Sequence, residues 1–217
     1  MDNISKIETK EELSSHENEF AGVLSRAFNN DPYYVFIMPN DKKRMEQLQW
    51  WMKILLRYTL KYGSIYFTDD CKSIAMWIGP DKPIIDDVKI LSLGLMFYPF
   101  KIGVRNFMRV LDISGQWNKE HKKLNKRHYY LMVIGVEPEF QQKGIGSRLM
   151  HVGLKKADNE KLECFLETVT YEDVKFYMKH NFEVIFKKGF GVKNQYWLMK
   201  RTSLENPVTL PNLARIN

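Results

Sequence analysis

Residues 129–150 read YYLMVIGVEPEFQQKGIGSRLM, from Tyr129 to Met150, and the fold turns on how they divide. The segment from Tyr129 to Val136 is short, rich in aromatic and aliphatic residues and closed by Glu137-Pro138, which predicts a buried strand. Further on, Ile145, Leu149 and Val152 recur at helical spacing, so a helix begins with an apolar face in its first turn. Between the two lies Gln141-Gln142-Lys143-Gly144-Ile145-Gly146-Ser147. Two glycines at a helix mouth let the backbone come close to a ligand, and the unsatisfied NH groups and the helix dipole favour an anion there. The loop is suited to phosphate.

Spacing separates the known phosphate loops. A Walker loop needs Lys and then Ser or Thr after its second glycine, whereas Ser147-Arg148 follow Gly146. A dinucleotide fingerprint needs Gly or Ala three residues after Gly146, where Leu149 stands. A strand-to-helix turn without any ligand is the plain alternative, and the preceding strand, Gln141 and the apolar helix face argue against it.

The chain of 217 residues is 44% hydrophobic, enough for one large domain with a core of its own. We read residues 1–201 as that domain, with a helical insertion at about 84–126, and 202–217 as a tail. The opening Met1-Asp2-Asn3-Ile4-Ser5-Lys6 carries no apolar signal core, and the longest apolar region, 91–100, is too short to span a bilayer. The expectation is a cytoplasmic protein with no membrane partner. Cys71 and Cys164 form no C-x-x-C pair, so the sequence suggests neither a zinc site nor a disulfide, and Cys164 is expected in the core. A net charge of +7 favours an anionic partner, be it a polyanionic cofactor, nucleic acid or an acidic surface, without choosing among them. The run Lys119, Lys122, Lys123, Lys126 and Arg127 lacks interleaved aromatics and reads as a solvated helix end, which disfavours nucleic acid.

Along the chain we expect an edge strand from Ile4 to Thr9, a helix from Glu11 to Phe28, and a break at Asn29-Asn30-Asp31-Pro32. A second helix, about Asp41 to Tyr62, should be capped by Asn40 or Asp41 and carry Met45, Leu48, Trp51, Leu55 and Tyr58 on one stripe. Strands at 65–68 and 73–78 form a hairpin. The insertion should be interrupted near Pro99 and Ser114-Gly115, with Leu91, Leu95, Met96, Phe97, Tyr98, Phe100 and Phe107 as core, or else as acceptor-pocket lining. After the glycine loop the order is strand 162–168, helix 171–179, strand 182–186 and strand 195–200, the last two as a hairpin. Alternation of strand and helix implies adjacent parallel pairing at the centre.

Gln141-x-x-Gly144-x-Gly146, after a strand ending at Val136 and a turn at Pro138, closely resembles the acyl-CoA loop of the GNAT superfamily of N-acetyltransferases. Leu166-Glu167-Thr168 and Phe176-Tyr177-Met178-Lys179-His180-Asn181-Phe182 look like that family's later strand and its F-Y-x-K-x-G-F segment, so the likeness covers about residues 129–201. Asn181 stands for the usual glycine. Thr170 stands where many members carry an asparagine that helps hold the cofactor.

The resemblance implies an α/β fold with a mixed, mainly antiparallel sheet, a central parallel pair and flanking helices. It implies acetyl-CoA as acyl donor, no required metal, and strands that splay near Val136 and Thr168 around the pantetheine arm. Ile134, Gly135 and Val136 would bind that arm; Gln141, Gln142, Lys143, Gly144, Ile145, Gly146 and Ser147 would hold the pyrophosphate. Tyr177 matches the family's general acid, and as such should impose a decline in activity at high pH; Glu167 is the candidate base, with His128 in reserve. The implied reaction is acetyl transfer to an amine, most simply of a small molecule, with room for a homodimer. The alternative is a non-catalytic acyl-CoA-binding or nucleic-acid-interaction protein that retains the fold.

Overall fold

The computed structural model describes residues 3–81, 95–124 and 126–204. Residues 84–94 of the expected insertion and nearly all of the expected tail lie outside them. Strand β1 (Ile4–Lys6) stops short of Thr9, whose hydroxyl instead accepts the Glu12 NH at 3.1 Å and caps helix α1 (Lys10–Phe28). Asp31 does the same for the short helix α2 (Pro32–Ile37), accepting the NH groups of Tyr33 at 2.9 Å and Tyr34 at 3.3 Å, with Pro32 in the first turn where no NH is needed. Helix α3 (Asp41–Tyr62) buries Leu48, Trp51, Leu55 and Tyr58, while Met45 is exposed. Asn40 occupies its cap position, yet no side chain caps it.

Strands β2 (Gly63–Thr68) and β3 (Ser73–Ile78) form the expected hairpin. A single 3-10 turn at Leu95–Phe97 then leads into helices α4 (Tyr98–Ile102) and α5 (Val104–His121). Pro99 does not interrupt this region; it starts α4, and the break falls at Gly103, which has φ +87°. Nor does Ser114-Gly115 interrupt α5. Ile113 is buried and Trp117 packs against the core on either side, and that packing outweighs the ~1 kcal/mol a mid-helix glycine costs. Tyr98 is core, stacked on Trp51 with ring centroids 4.7 Å apart, whereas Met96, Phe97 and Phe100 face solvent. Those three are therefore neither core nor pocket lining. Three members of the basic run are paired at the surface: Lys123 with Glu120, Lys126 with Glu163, and Arg127 with Asp81.

Strand β4 (His128–Val136) is followed by helix α6 (Ile145–Asn159), strand β5 (Glu163–Thr168), helix α7 (Tyr171–Met178) and the strands β6 (Glu183–Phe190) and β7 (Asn194–Arg201). The seven strands lie in the order β1-β2-β3-β4-β5-β7-β6, and only the β4–β5 pair is parallel. Alternation misplaces one strand, because β7 inserts between β5 and β6. Tyr196–Met199 of β7 are buried while β6 exposes Glu183, Val184, Ile185, Lys187 and Lys188, so the more apolar strand takes the interior position.

The sheet is covered on both faces. Phe20, Leu24, Leu48, Leu55 and Tyr58 pack with Ile74, Met76 and Tyr130 on one side; Leu149, Met150, Leu154, Val174 and Tyr177 pack with Ala75, Trp77 and Leu131 on the other. Among the described residues no helix is long and apolar enough to cross a membrane.

Candidate active site

The parallel register of β4 and β5 runs His128↔Glu163, Tyr129↔Cys164, Tyr130↔Phe165 and stops there. One residue later β4 departs from ideal pairing with its other neighbour: Trp77 faces Leu131, Met76 faces Val133, and Met132 is left over. A bulge of this kind bends its strand. Its effect shows in the packing, since Leu131 and Ile134, three residues apart, lie on the same side of the sheet. The two parallel strands are thus paired at their start and apart at their end. In the gap is a cavity of about 650 Å³, lined by 131–136 of β4, by 167–170 after the β5 pairing ends, and by the mouth of α6.

Ile134, Gly135, Val136, Gln141, Gln142, Gly144, Ile145, Gly146, Ser147, Glu167 and Tyr177 all line this cavity. The structure brings together residues that the sequence spreads over more than forty positions. Gly144 has φ +76° with open space where a Cβ would point, and no side chain caps the helix it precedes. The first NH groups of α6 therefore present their partial charge to an anion. Gln141 donates its side-chain amide to the Val136 carbonyl at 3.1 Å, tying the loop to the strand end. Ser147 is 3.1 Å from His180 Nε2. Gly135 serves packing instead, because a Cβ there would meet Leu24 Cδ2 at 2.6 Å and the bare backbone lets α1 close on β4. Lys143 is the predicted cofactor residue that does not line the cavity. Its ammonium donates to the Glu139 carbonyl at 3.0 Å and sits 4.9 Å from the Phe140 ring centroid.

Glu167 is half-buried on the cavity wall. Burial pushes its carboxyl up to about 7, against a hydrogen bond from the Tyr130 hydroxyl that favours the charged form, and Oε2 has no partner. Tyr177 sits on α7 between Phe176 and Phe182; burial first, and then the nearby Asp173 and Asp31 charges, drive its hydroxyl well above the usual tyrosine range. His128 is elsewhere, with its Nε2 2.6 Å from that of His121 and outside the cavity lining.

Residues 107–184 match the family model of the acetyltransferase (GNAT) domain. The chain carries a GNAT domain. Its fold is similar to that of a histone acetyltransferase HPA2 and related acetyltransferase from Corynebacterium glutamicum, at 16% identity over 95% of this chain and 99% of that one, with a TM-score of 0.62. It is similar too to arylalkylamine N-acetyltransferase 2 from Aedes aegypti (11% identity, 92% and 99% coverage, TM-score 0.59). A third likeness is to the ribosomal-protein-S18-alanine N-acetyltransferase from Escherichia coli (12%, 95% and 97%, TM-score 0.51).

Within this GNAT domain Thr170 is a helix cap. It accepts the Asp173 NH at 3.1 Å and donates to Asp173 Oδ2 at 2.6 Å. Asn181 takes the left-handed conformation, φ +64°, that a glycine would otherwise supply. Sequence reasoning misses one end of the cavity, where Asp31, Tyr33, Tyr34, Trp117, Tyr130 and Asp173 meet. Asp31 is pushed up to about 7 by burial, against the Tyr34 and Tyr33 NH groups that it caps. The D-P step that marks it reads, in the sequence, only as a chain break.

Proposed function

We propose that this GNAT domain transfers an acetyl group from acetyl-CoA to the amine of a small molecule. The observation that carries the reading is the bent end of β4, parted there from β5, with the uncapped mouth of α6 at its rim and the free Oε2 of Glu167 on its wall. The donor fits these residues: the α6 NH groups and loop 141–147 hold pyrophosphate, and the backbone of Ile134–Val136 holds the pantetheine amides. Acetyl-CoA supplies an activated thioester carbonyl. Glu167 takes a proton from the acceptor ammonium; the freed amine attacks the carbonyl carbon; an NH of β4 steadies the oxygen. As the carbon–sulfur bond breaks, Tyr177 protonates the thiolate and is reprotonated by the second proton that the nitrogen sheds on becoming an amide, while the proton on Glu167 passes to solvent. Carboxyls at Asp31 and Asp173 beside the rings of Tyr33, Tyr34 and Trp117 favour a compact cationic acceptor. Lys143 serves the phosphates, on this reading, only by its general charge.

Acceptor-dependent release of thiol from acetyl-CoA across a panel of small amines and peptide amines tests the whole reading. Binding of acetyl-CoA without release on any amine would sink it.

Two substitutions separate binding from chemistry. A Cβ at Gly146 would stand 3.6 Å from Phe176 and 3.7 Å from Val136, ordinary contacts, so Gly146→Val should fold. Its side chain fills the loop's approach to the ligand, and calorimetric titration should show acetyl-CoA affinity reduced about tenfold or more. Unchanged affinity in the folded variant removes the loop from the site. Tyr177→Phe keeps the packed ring and loses the proton; turnover should fall roughly ten- to a thousand-fold with acetyl-CoA affinity little changed. Because the hydroxyl is held so far above its usual range, wild type should show no high-pH decline from this residue, contrary to the expectation for an ordinary tyrosine acid. Full turnover in the Phe variant, under conditions where chemistry limits the rate, would return Tyr177 to packing alone.

A further inference from the structure

Midway along α1, about two to three turns before the cavity-lining end, His16 and Glu19 stand about one helical turn apart and face the turn between β2 and β3, where Cys71 sits. One ligand atom from each of the three lies within 4.8 Å of the other two. Cys71 Sγ is 3.7 Å from His16 Nδ1. Zinc bonds of about 2.3 Å to sulfur and about 2.1 Å to nitrogen, opened to the tetrahedral angle, separate those two atoms by about 3.6 Å. The spacing is thus that of two ligands on one ion, and the same geometry admits a carboxylate oxygen as a third.

The ligands are held by their surroundings. The His16 ring stacks on Phe20 at 5.3 Å between centroids and leans on Phe67 at 5.7 Å. Cys71 is buried, and its NH donates to the Thr68 carbonyl at 2.6 Å. Glu19 is exposed, which gives the ion a path from solvent and leaves the fourth position to water. Thiolate, imidazole and carboxylate together suit zinc better than magnesium or calcium, which prefer oxygen alone.

We propose that His16, Glu19 and Cys71 form a zinc site that clamps α1 to the β2–β3 turn. The helix so fixed reaches the cavity with its C-terminal turn, where Ala27 and Phe28 form part of the wall. No local pattern announces the site, because its ligands are His-x-x-Glu and a cysteine 52 positions on.

Cobalt reads this site independently of acetyl transfer. The full chain, stripped with a chelator under reducing conditions, should take up one equivalent of Co²⁺ with a thiolate-to-cobalt charge-transfer band, displaced by Zn²⁺. Cys71→Ser should lose the band, and competition against a chromophoric chelator should show zinc affinity down at least tenfold. His16→Phe preserves the stack and Glu19→Gln alters an exposed side chain, so both keep the test open if the serine variant fails to fold; each should weaken zinc by about tenfold or more. Cys164→Ser should leave the band intact. A wild-type protein without the band, or a band and affinity untouched by the substitutions at His16, Glu19 and Cys71, would overturn the site and leave a thiol–imidazole hydrogen bond in its place.

Discussion

Glu167→Gln is expected to lower turnover by about 100- to 10,000-fold, the contribution a positioned general base makes. Glutamine has the same shape and can still accept the Tyr130 hydroxyl, so acetyl-CoA affinity should hold. The pH profile gives the sign. A base works when deprotonated, so wild-type activity should rise with pH through about 7, where burial has moved this carboxyl. The variant should lack that rise, while any limb due to ionisation of the acceptor stays. Stability supplies a second readout. Between the ordinary glutamate range and about 7 the folded protein binds a proton that the unfolded chain has released, so wild-type stability should fall as pH rises across that window. Glutamine removes the Glu167 share of this slope and leaves that of Asp31, which burial raises into the same window. Full turnover in the variant, with chemistry limiting, would leave Glu167 as a buried acid with no catalytic part.

Asp158→Ala should cost about 3–5 kcal/mol, because it strands a buried guanidinium. Asp158, near the end of α6, holds Arg201 at the end of β7 through two bonds of 2.7 and 2.8 Å, with the two side chains 5% and 3% exposed. It also accepts the Leu204 NH at 2.9 Å. Burial alone would raise this carboxyl; the Arg201 hydrogen bonds, the Leu204 NH and the neighbouring positive charge outweigh it, and the net displacement is downward. A depressed acid stabilises above its unfolded range and loses that contribution as pH falls through its folded value. Wild type should therefore weaken in strong acid, and the alanine variant should be weak already at neutral pH. Urea titration at both pH values measures this. A loss below about 1 kcal/mol at neutral pH would show that the pair is dispensable.

The legible parts of this protein are local ones. Strand β4, the glycine loop and the apolar face of α6 follow one another within a few residues, and each announces itself by period or by glycine. The position of β7 between β5 and β6 is not legible, since it depends on which strand the whole sheet buries best. Neither is the bulge at Met132, which is a property of pairing with β3 rather than of methionine. Ser114-Gly115 looks like a break when propensity is weighed without Ile113 and Trp117 on the core. Among the residues lining the cavity, Glu167 and Tyr177 lie in motifs the sequence displays, whereas Asp31 and Trp117 reach it from elements whose own patterns say only cap and core. Lys143 shows the opposite failure: charge in the right loop, aimed at Glu139 and Phe140.

The parting of β4 from β5 has an evolutionary corollary. A seam opened between two strands offers peptide NH and carbonyl groups, and these are the same whatever the codons specify. Most missense changes along such a seam alter its decoration and spare its donors and acceptors. Side chains can differ widely while the fold stays alike, as a fold shared at 16% identity illustrates. What drift cannot easily replace is Gly135, hemmed in by Leu24, and it cannot insert proline where a peptide NH is needed. What such a seam requires of the sequence is thus carried by its main chain more than by its side chains.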